Sequence, residues 1–422
     1  MGYQKIKGTQ DFYGEIAAKR RYVEEVARSV VRKYNIDEII TPVFENTEVF
    51  TRSSGDGSDI VNKEMYTFLD KGKRSITLRP EGTAGVTRSF LENKLYVAPG
   101  LKKYFYVGPM FRYEQPQAGR YREFNQFGVE MFGDSGSYLD AEVIMLAHAI
   151  FKKLGIDKYY TVKVNTIGDF ATRNNYTNVL KDYFTDKIDN LCEDCKRRLE
   201  KNPMRILDCK VDKENEILIN APKINDYLSE ESKEYFKNII DILDLMDINY
   251  EIDSNLVRGL DYYTDTVFEF VINSNDELNG LTICAGGKYS DLTTKFNGPS
   301  IPGIGFAFGV ERIMSVVEKY GLYPNLKDEV DLALFSLDSE SKKYNLKLAS
   351  KLREEGLNIE MDYVNNTLKH QFKLSDRCKA RFIGIVGETE RENGTITIKD
   401  TVNAKQEVIS VNDISKYIKE NK

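Results

Sequence analysis

Histidine and tryptophan are nearly missing from this chain. Its 422 residues include two histidines, His148 and His370, and no tryptophan. A zinc site of the HExxH type needs two histidines on one helix turn, so it is excluded, and a histidine-based catalytic triad has only these two candidates. We therefore expect any catalysis to depend on other side chains.

Cysteine is also scarce, and long apolar segments are lacking. Five cysteines, an odd number without the spacing of a disulfide framework, indicate a reducing, cytoplasmic setting. No run approaches the ~20 apolar residues that span a membrane, and residues 1–20 show no apolar signal-peptide core. With 41% hydrophobic and 30% charged residues, the composition predicts a globular protein of several domains.

A third absence concerns nucleotide binding. The chain contains no GxxxxGK[ST] P-loop and no predicted strand followed by GxGxxG. If a nucleotide binds, arginines are expected to hold it instead of a phosphate-binding loop. The net charge of -6 argues, taken alone, against a nucleic-acid partner.

Hydrophobic periodicity predicts both strands and helices, with a boundary near residues 323–329. Residues 174–246 are dense in Asp, Glu, Lys and Asn and have helical patterns. We expect a domain over residues 1–325, a helical insertion over 170–250 within it, and an α/β domain over 326–422. In the last domain, alternating strands and helices predict a mostly parallel sheet. Phe306–Val317 is predicted to be a buried helix.

Four arginines stand near predicted element ends. Arg112 follows a strand, Arg120 lies in the next loop, Arg258 precedes a strand, and Arg312 opens a helix after a glycine run. They are either convergent on one anion or unrelated surface residues with ion-pair partners. If the strands flanking the Arg120 loop form a hairpin, the Arg112 and Glu130 regions become cross-strand neighbours.

Acidic and amide side chains alternate with apolar ones on the strand at Phe124–Phe132. Gln126 and Glu130 share parity, so they lie on one face of that strand. This face is either the solvated half of an antiparallel sheet or the wall of a pocket for a cationic amine, because a buried carboxylate needs a partner.

Three cysteines, Cys192, Cys195 and Cys209, resemble part of a zinc site. A structural zinc site has four ligands. No histidine lies nearby and Cys284 is far along the chain, so we expect no metal site here.

A basic stripe occupies one predicted helix of the last domain. Lys369, Lys373 and Arg377 are spaced i, i+4, i+8. The stripe is either a solvated face or a contact surface for a phosphate backbone.

Taken together, these motifs resemble the histidyl-tRNA synthetase family of class II aminoacyl-tRNA synthetases. The helix and strand ending at Pro42 resemble motif 1, Gly108–Glu114 through Phe132 motif 2, and Gly305–Arg312 motif 3. The segments most specific to the histidine enzymes are Leu256–Tyr263 and Ala285–Tyr289, and Leu78–Thr83 adds to them.

This resemblance implies an α+β fold. Its parts are a class II antiparallel-sheet catalytic domain with a helical insertion, and a C-terminal α/β anticodon-binding domain. It implies a cytoplasmic homodimer that acts in translation as a histidine–tRNA ligase. ATP, with Mg²⁺, and L-histidine would be substrates, and tRNA(His) would accept the histidine.

The resemblance also assigns roles to individual residues. Arg112 and Arg258 are implied to be catalytic, with Arg112 on the ATP α-phosphate and the histidine carboxylate. The ATP set is completed by Glu114, Arg120, Phe124 and Arg312. The histidine set contains Glu81, Thr83, Arg112, Gln126, Glu130, Arg258, Tyr262, Tyr263 and Tyr289. Lys369, Lys373 and Arg377 are the expected tRNA-binding residues.

Two alternatives remain at this point. One is the synthetase-like regulatory subunit of ATP phosphoribosyltransferase, which shares the catalytic fold without the activity. The other is a class II synthetase for a different amino acid. Gln115 stands where many relatives carry arginine in the loop that faces the tRNA acceptor end, so how that end is read stays open.

Overall fold

The computed structural model describes residues 2–54, 60–115, 120–133, 136–209, 211–258, 262–326, 329–364 and 367–421. The chain divides into two compact units, Met1–Pro324 and Asn325–Lys422, and each contains its own apolar core. Among these described residues, no helix is long and apolar enough to cross a membrane.

The first unit contains both helices and strands. Its helices are α1 (Gly14–Val31), α2 (Thr47–Ser54), α3 (Thr83–Glu92), α4 (Ser137–Lys153), α5 (Phe170–Thr185), α6 (Glu193–Lys201), α7 (Glu216–Ile219), α8 (Glu230–Leu245), α9 (Leu292–Lys295) and α10 (Val310–Lys319). Its strands are β1 (Asp37–Glu38), β2 (Phe44–Asn46), β3 (Tyr66–Leu69), β4 (Ser75–Leu78), β5 (Lys102–Phe111), β6 (Glu123–Phe132), β7 (Tyr160–Thr166), β8 (Tyr250–Ile252), β9 (Thr264–Ile272), β10 (Thr282–Tyr289) and β11 (Gly303–Gly309).

Within the described residues, eight strands form one large sheet in the order β1-β5-β6-β11-β10-β9-β7-β8. The edge strand β1 pairs in parallel with β5, and the other edge strand, β8, pairs in parallel with β7. All other neighbouring strands of this sheet pair antiparallel. A smaller antiparallel sheet has the order β2-β4-β3. The antiparallel α+β expectation for this unit is confirmed.

The two faces of β6 have different surroundings. Phe127, Val129 and Met131 are buried with apolar residues of α1 and α4, so this face forms the main core. The alternate residues, among them Gln126 and Glu130, lie on the opposite face. Because side chains alternate along a strand, the helix-packed core fixes which residues of β6 turn away from it.

The predicted helix at Phe306–Val317 is wrong over its first part. Residues Gly303–Gly309 form β11, which lies between β6 and β10, and α10 begins at Val310. Ile304, Phe306 and Phe308 alternate with glycine or alanine and are buried, as in a central strand. A short apolar run does not distinguish a buried strand from a buried helix by periodicity alone.

The expected hairpin of β5 and β6 forms, but its register differs from the prediction. Tyr104 pairs with Glu130, and Phe111 pairs with Glu123. The backbone N–H of Arg112 donates to the carbonyl of Arg122 at 2.9 Å. Arg112 and Glu130 therefore lie at opposite ends of the hairpin, because both strands are longer than the sequence pattern indicated.

The described residues between β7 and β8 form helices joined by turns, and these helices pack against two different cores. Ile239 and Leu243 of α8 belong to the main core with α4. Tyr176 and Leu180 of α5 pack in a second cluster that includes Tyr262. The helices α5 to α7 thus lie against the side of the unit that carries the candidate site.

The second unit is a small α/β arrangement. Its strands are β12 (Leu332–Ser336), β13 (Ile359–Met361), β14 (Phe382–Val386), β15 (Thr395–Asp400) and β16 (Lys405–Ser410). Its helices are α11 (Ser339–Glu354), α12 (Leu368–Cys378), α13 (Glu388–Asn393) and α14 (Ile414–Asn421).

In the described part of this unit, five strands form a sheet in the order β13-β12-β14-β15-β16. The pairs around β12 are parallel, whereas β14, β15 and β16 pair antiparallel. The sheet is therefore mixed, and the expectation of a mostly parallel sheet is wrong. A tight turn accounts for the antiparallel pairing of β15 with β16: in it the Asp400 carboxylate accepts from the N–H of Val402 at 2.8 Å and of Asn403 at 3.0 Å.

Candidate active site

A cavity of about 370 Å³ lies in the first unit, beside the second face of the large sheet. Its volume is in the usual range for small-molecule sites, ~300–1,000 Å³. It is lined by every residue that the resemblance assigns to histidine or ATP, namely Glu81, Thr83, Arg112, Glu114, Arg120, Phe124, Gln126, Glu130, Arg258, Tyr262, Tyr263, Tyr289 and Arg312. Gly259, Leu260 and Asp261, which belong to one of the quoted motifs, lie outside the described residues.

One end of the cavity is built around Glu130 of β6, whose side chain is buried. Thr83 donates its hydroxyl to Glu130 Oε1 at 2.6 Å, and Tyr289 donates to Oε2 at 2.7 Å. Burial raises the pKa of Glu130 to about 8, although both hydroxyl donors act to lower it. A cationic group entering this end would stabilise the ionised carboxylate.

A second buried acid, Glu81, lies next to the start of α3. Its carboxylate accepts from the N–H of Thr83 at 2.6 Å and of Ala84 at 2.9 Å. Burial raises its pKa, while these backbone donors and Arg112 oppose that shift. Thr83 thus connects the two acids, because its N–H donates to Glu81 and its hydroxyl donates to Glu130. A pair of carboxyl groups at one end of a cavity suits the ammonium group of a ligand.

Gln126 lies on the same face of β6 as Glu130. Its Oε1 accepts from Gly82 N at 3.1 Å and from the Tyr106 hydroxyl at 3.3 Å. Two donors on the carbonyl oxygen orient the amide, so its NH₂ group is what it offers to a ligand. The solvated alternative for this strand face is wrong, because the face is largely buried and lines the cavity.

Glycines make space for the tyrosines around this end. A Cβ on Gly82 would lie 2.2 Å from the Tyr106 ring, and one on Gly128 would lie 2.3 Å from it. A Cβ on Gly303 would meet the Tyr289 ring at 2.2 Å. Since real Cβ atoms do not approach so closely, these positions accept only glycine while the rings keep their places.

The other end of the cavity is basic. The Arg112 Nε donates to the Pro80 carbonyl at 2.8 Å, and its guanidinium carbon lies 5.3 Å from the centroid of the Phe124 ring. Glu114 lies 3.8 Å from Arg112 and 3.1 Å from Arg120. This arrangement holds Arg112 in place without using all of its donors.

Arg312 of α10 completes the basic end. Its Nη1 donates to the Thr282 carbonyl at 2.6 Å. Burial lowers its pKa, and the like charges of Arg120 and Arg112 lower it further, against the opposing effect of Glu114. Three mutually repelling guanidinium groups favour a polyanion at this place.

Arg258 contacts the Glu269 carboxylate of β9. Glu269 also accepts a hydrogen bond of 2.9 Å from Thr282 Oγ1. The Nε of Arg258 is buried and has no hydrogen-bond partner among the described residues, which marks it as a donor available to a ligand. Sequence reasoning missed Glu269, although a charged residue within the apolar strand Thr264–Ile272 was a usable signal.

Two further acidic residues of the cavity were also missed. Glu311 is buried, and its carboxylate accepts from Asn125 Nδ2 at 2.7 Å and from Asn125 N at 2.9 Å. It thereby joins α10 to β6, beside Arg312. Asp208, which precedes Cys209, lines the cavity from the helical segment, and nothing in its local sequence pointed there.

The basic stripe of the second unit lies on α12. Lys369, Lys373 and Arg377 are exposed, while Gln371 and Ser375 form the buried side of that helix. Gln371 is fixed by hydrogen bonds with the backbone of Ser336 at 2.7 and 2.9 Å. The stripe is therefore presented to solvent, and both of its interpretations remain open.

Comparison with known proteins identifies the family. The sequence model described as Histidyl-tRNA synthetase matches residues 8–313, and the one described as Anticodon binding domain matches residues 327–421. A histidine–tRNA ligase of Anoxybacillus flavithermus is 45% identical over 420 residues, which is 99% of each chain.

Solved structures agree with this result. The apo histidyl-tRNA synthetase of S. aureus is 38% identical with a TM-score of 0.85, covering 99% of this chain and all of that one. An ATP phosphoribosyltransferase regulatory subunit/histidyl-tRNA synthetase of Bacillus halodurans is similar in fold, with a TM-score of 0.65 at 21% identity over 92% of this chain and 98% of that one. The family match and the full-length relative together show that the chain belongs to the histidyl-tRNA synthetase family, whose members are aminoacyl-tRNA ligases.

Proposed function

We propose that this synthetase activates L-histidine with ATP and transfers it to the 3′ end of tRNA(His) in the cytoplasm. The observation that carries the proposal is the division of one cavity into an acidic end and a basic end. The acids Glu81 and Glu130 suit an ammonium group, and the guanidinium groups of Arg112, Arg120 and Arg312 suit a triphosphate.

In the first step, a carboxylate oxygen of histidine attacks the α-phosphorus of ATP. The bond from that phosphorus to the bridging oxygen breaks, and pyrophosphate leaves with the electron pair. Arg112 would contact both the carboxylate and the α-phosphate, and Arg258 would neutralise charge that develops there. Such chemistry needs positioning and charge neutralisation, so no protein nucleophile is required.

The triphosphate tail and the adenine would lie at the basic end. Arg312 is assigned to the γ-phosphate, Phe124 to the adenine ring, and Glu114 and Arg120 to the remainder of ATP. Mg²⁺ prefers carboxylate oxygens, and Glu114 is a carboxylate at the basic end of the cavity, so Glu114 would hold it in exchange for its contact with Arg120. The ion would neutralise phosphate charge.

The histidine side chain would lie at the acidic end. Glu81, Thr83, Gln126 and Glu130 are assigned to the amino group and neighbouring atoms, and Tyr262, Tyr263 and Tyr289 to the imidazole pocket. A pocket that pairs both imidazole nitrogens leaves polar groups unpaired with another amino acid, which gives ~10⁴-fold rejection or more without editing.

For tRNA, the exposed stripe of Lys369, Lys373 and Arg377 would contact phosphates. We also infer a homodimer. Its support is a group of exposed apolar side chains near the small sheet, where Ile40 is 84% exposed, Phe44 57% and Leu69 68%. Sedimentation equilibrium is expected to give twice the chain mass of 48.5 kDa, and a monomer at micromolar concentration contradicts the inference.

ATP–pyrophosphate exchange with each amino acid in turn tests the activity. Exchange with histidine alone supports the proposal. Absence of exchange with every amino acid supports a regulatory subunit, and exchange with another amino acid supports a different specificity. Either of these last results overturns the proposal.

A further inference from the structure

The helical segment brings three cysteines and an aspartate together. Cys192 immediately precedes α6, Cys195 lies in its first turn, and Cys209 and Asp212 follow a 3₁₀ helix at Pro203–Ile206. The ligand atoms of these four residues all lie within 4.8 Å of one another. Asp212 supplies a fourth ligand that is neither a histidine nor a cysteine.

The distances within this cluster match those of a metal-binding shell. Cys192 Sγ and Cys209 Sγ are 3.6 Å apart, and Asp212 Oδ2 lies 3.2 Å from Cys195 Sγ and 3.4 Å from Cys209 Sγ. In a tetrahedral site with Zn–S bonds of ~2.3 Å, neighbouring sulfurs are about 3.8 Å apart. A disulfide would need sulfurs about 2.05 Å apart, and all of these cysteines are free thiols.

Backbone groups already orient the ligand atoms. The N–H of Cys192 donates to Asp212 Oδ2 at 3.0 Å, and the N–H of Asp212 donates to Cys209 Sγ at 3.4 Å. Outer hydrogen bonds of this kind fix metal ligands in place.

The spacing supports the same conclusion. The four residues form two short pairs, C-x₂-C and C-x₂-D, separated by residues 196–208. Two such pairs are typical of structural zinc sites, and thiolate ligands select zinc over magnesium or calcium. We propose that Cys192, Cys195, Cys209 and Asp212 bind one Zn²⁺ as a closed structural site.

Such an ion would fix one wall of the active-site cavity. The described residues between Leu191 and Leu218 form short helices and turns, and the 3₁₀ helix at Pro203–Ile206 is buried beside the cysteines. Asp208 lines the cavity and is adjacent to Cys209. A metal bound to Cys209 would hold that turn, so the metal site would position Asp208 without taking part in the chemistry.

Metal content of the purified full-length chain tests the proposal. After expression in zinc-supplemented medium without an affinity tag, mass spectrometry of the metal is expected to find close to one zinc per chain. Cys195→Ser and Asp212→Ala are expected to lose it. Cys378→Ser changes a cysteine of the other unit and should retain it.

A spectroscopic measurement separates ligation from a folding defect. Cobalt(II) added to the reduced, metal-free chain should give thiolate charge-transfer absorption and the d–d bands of tetrahedral cobalt. Asp212→Cys should keep the metal and intensify the charge-transfer band, because it adds a fourth thiolate. A chelator should lower the Tm of the wild type but not that of Cys195→Ser.

Several results would overturn the proposal. The first is a wild-type chain that neither contains zinc nor takes up added Zn²⁺ or Co²⁺. The second is full zinc retention by Cys195→Ser. The third is a Cys192–Cys209 disulfide in protein isolated under thiol-blocking conditions. These readouts do not depend on histidine activation, so they stand apart from the proposed function.

Discussion

Tyr289 of β10 donates a hydrogen bond of 2.7 Å to Glu130 of β6, although the two strands are not neighbours in the sheet. The bond passes over β11, which lies between them and has Gly303 opposite Tyr289 and Gly305 opposite Glu130. A Cβ on Gly305 would lie 2.2 Å from Glu130 Oε2. The glycines of β11 therefore let a tyrosine and a buried acid meet across an intervening strand.

Removing that bond tests its importance for histidine binding. Tyr289→Phe leaves the Glu130 carboxyl with one fewer donor in a buried site, which costs ~1–3 kcal/mol. We expect the KM for histidine in pyrophosphate exchange to rise roughly tenfold, since ~1.4 kcal/mol is a factor of ten. Tyr320→Phe removes a hydroxyl bonded to Asp276, remote from the cavity, and is the matched control. An unchanged KM for histidine in Tyr289→Phe contradicts this role.

The raised pKa of Glu130 predicts a pH-dependent stability in the absence of ligands. Burial raises the pKa from 4.5 to about 8, so between these values the folded chain binds a proton that the unfolded chain has released. The contribution of Glu130 to the free energy of unfolding is therefore complete below pH 4.5 and is lost as the pH rises toward 8. The free energy of unfolding falls by at most ~1.4 kcal/mol per pH unit in this range.

Urea unfolding at a series of pH values measures this effect. Glu130→Gln should flatten the decline relative to the wild type, because the amide does not titrate. Glu251→Gln, at an exposed position of β8, should leave the decline unchanged. Parallel curves for the wild type and Glu130→Gln would show that Glu130 does not titrate in this range.

Arg258 should not be replaceable by lysine. Its guanidinium contacts Glu269, and its buried Nε has no hydrogen-bond partner in the part of the chain that the structure describes. A lysine ammonium cannot offer two such donors in one plane. We expect Arg258→Lys to lower kcat of pyrophosphate exchange by ~10²-fold or more while histidine still binds in calorimetry. Arg353→Lys, in the second unit, is the control. Near-normal exchange in Arg258→Lys would sink the assignment.

Two basic stripes in the second unit allow a matched test of tRNA contact. Neutralising Lys369, Lys373 and Arg377 on α12 is expected to weaken tRNA charging and its salt dependence while leaving pyrophosphate exchange intact. Lys343, Lys347 and Lys351 on α11 have the same i, i+4, i+8 spacing and are exposed. The triple variant of the α11 lysines is the control. If tRNA charging slows equally in both triple variants, the effect is one of general charge. If charging by the α12 variant is unchanged, the α12 stripe is only a solvated face.

The sequence was informative wherever a residue type has a narrow chemical use. Arginines at element ends and a carboxylate on an apolar strand predicted the residues that line the cavity, and the structure brings Arg112, Arg258 and Arg312 to one place. Their roles remain predictions. Global charge was misleading, because -6 is a sum over surfaces of every kind, and the family match includes an anticodon-binding domain.

Features that depend on distant pairing could not be obtained from local pattern. The last part of β11, Phe306–Gly309, was predicted as helix because its neighbours, β6 and β10, were needed to define the strand. Glu269 and Asp208 acquire significance only through Arg258 and the cavity wall. Asp212 was overlooked for a different reason, since a carboxylate was not considered as the fourth ligand to three cysteines.

The position of β11 has a consequence for how this chain folds. The strand is late in the sequence of the first unit, yet it lies between β6 and β10, which are synthesised earlier. The sheet cannot be completed until residue 309 has left the ribosome, and closing it requires contacts between residues more than 170 positions apart, such as Gly303 with Phe132. Such non-local pairing slows folding. The active site thus forms late in folding, and a nascent chain that ends before Gly303 exposes the unpaired edges of two central strands.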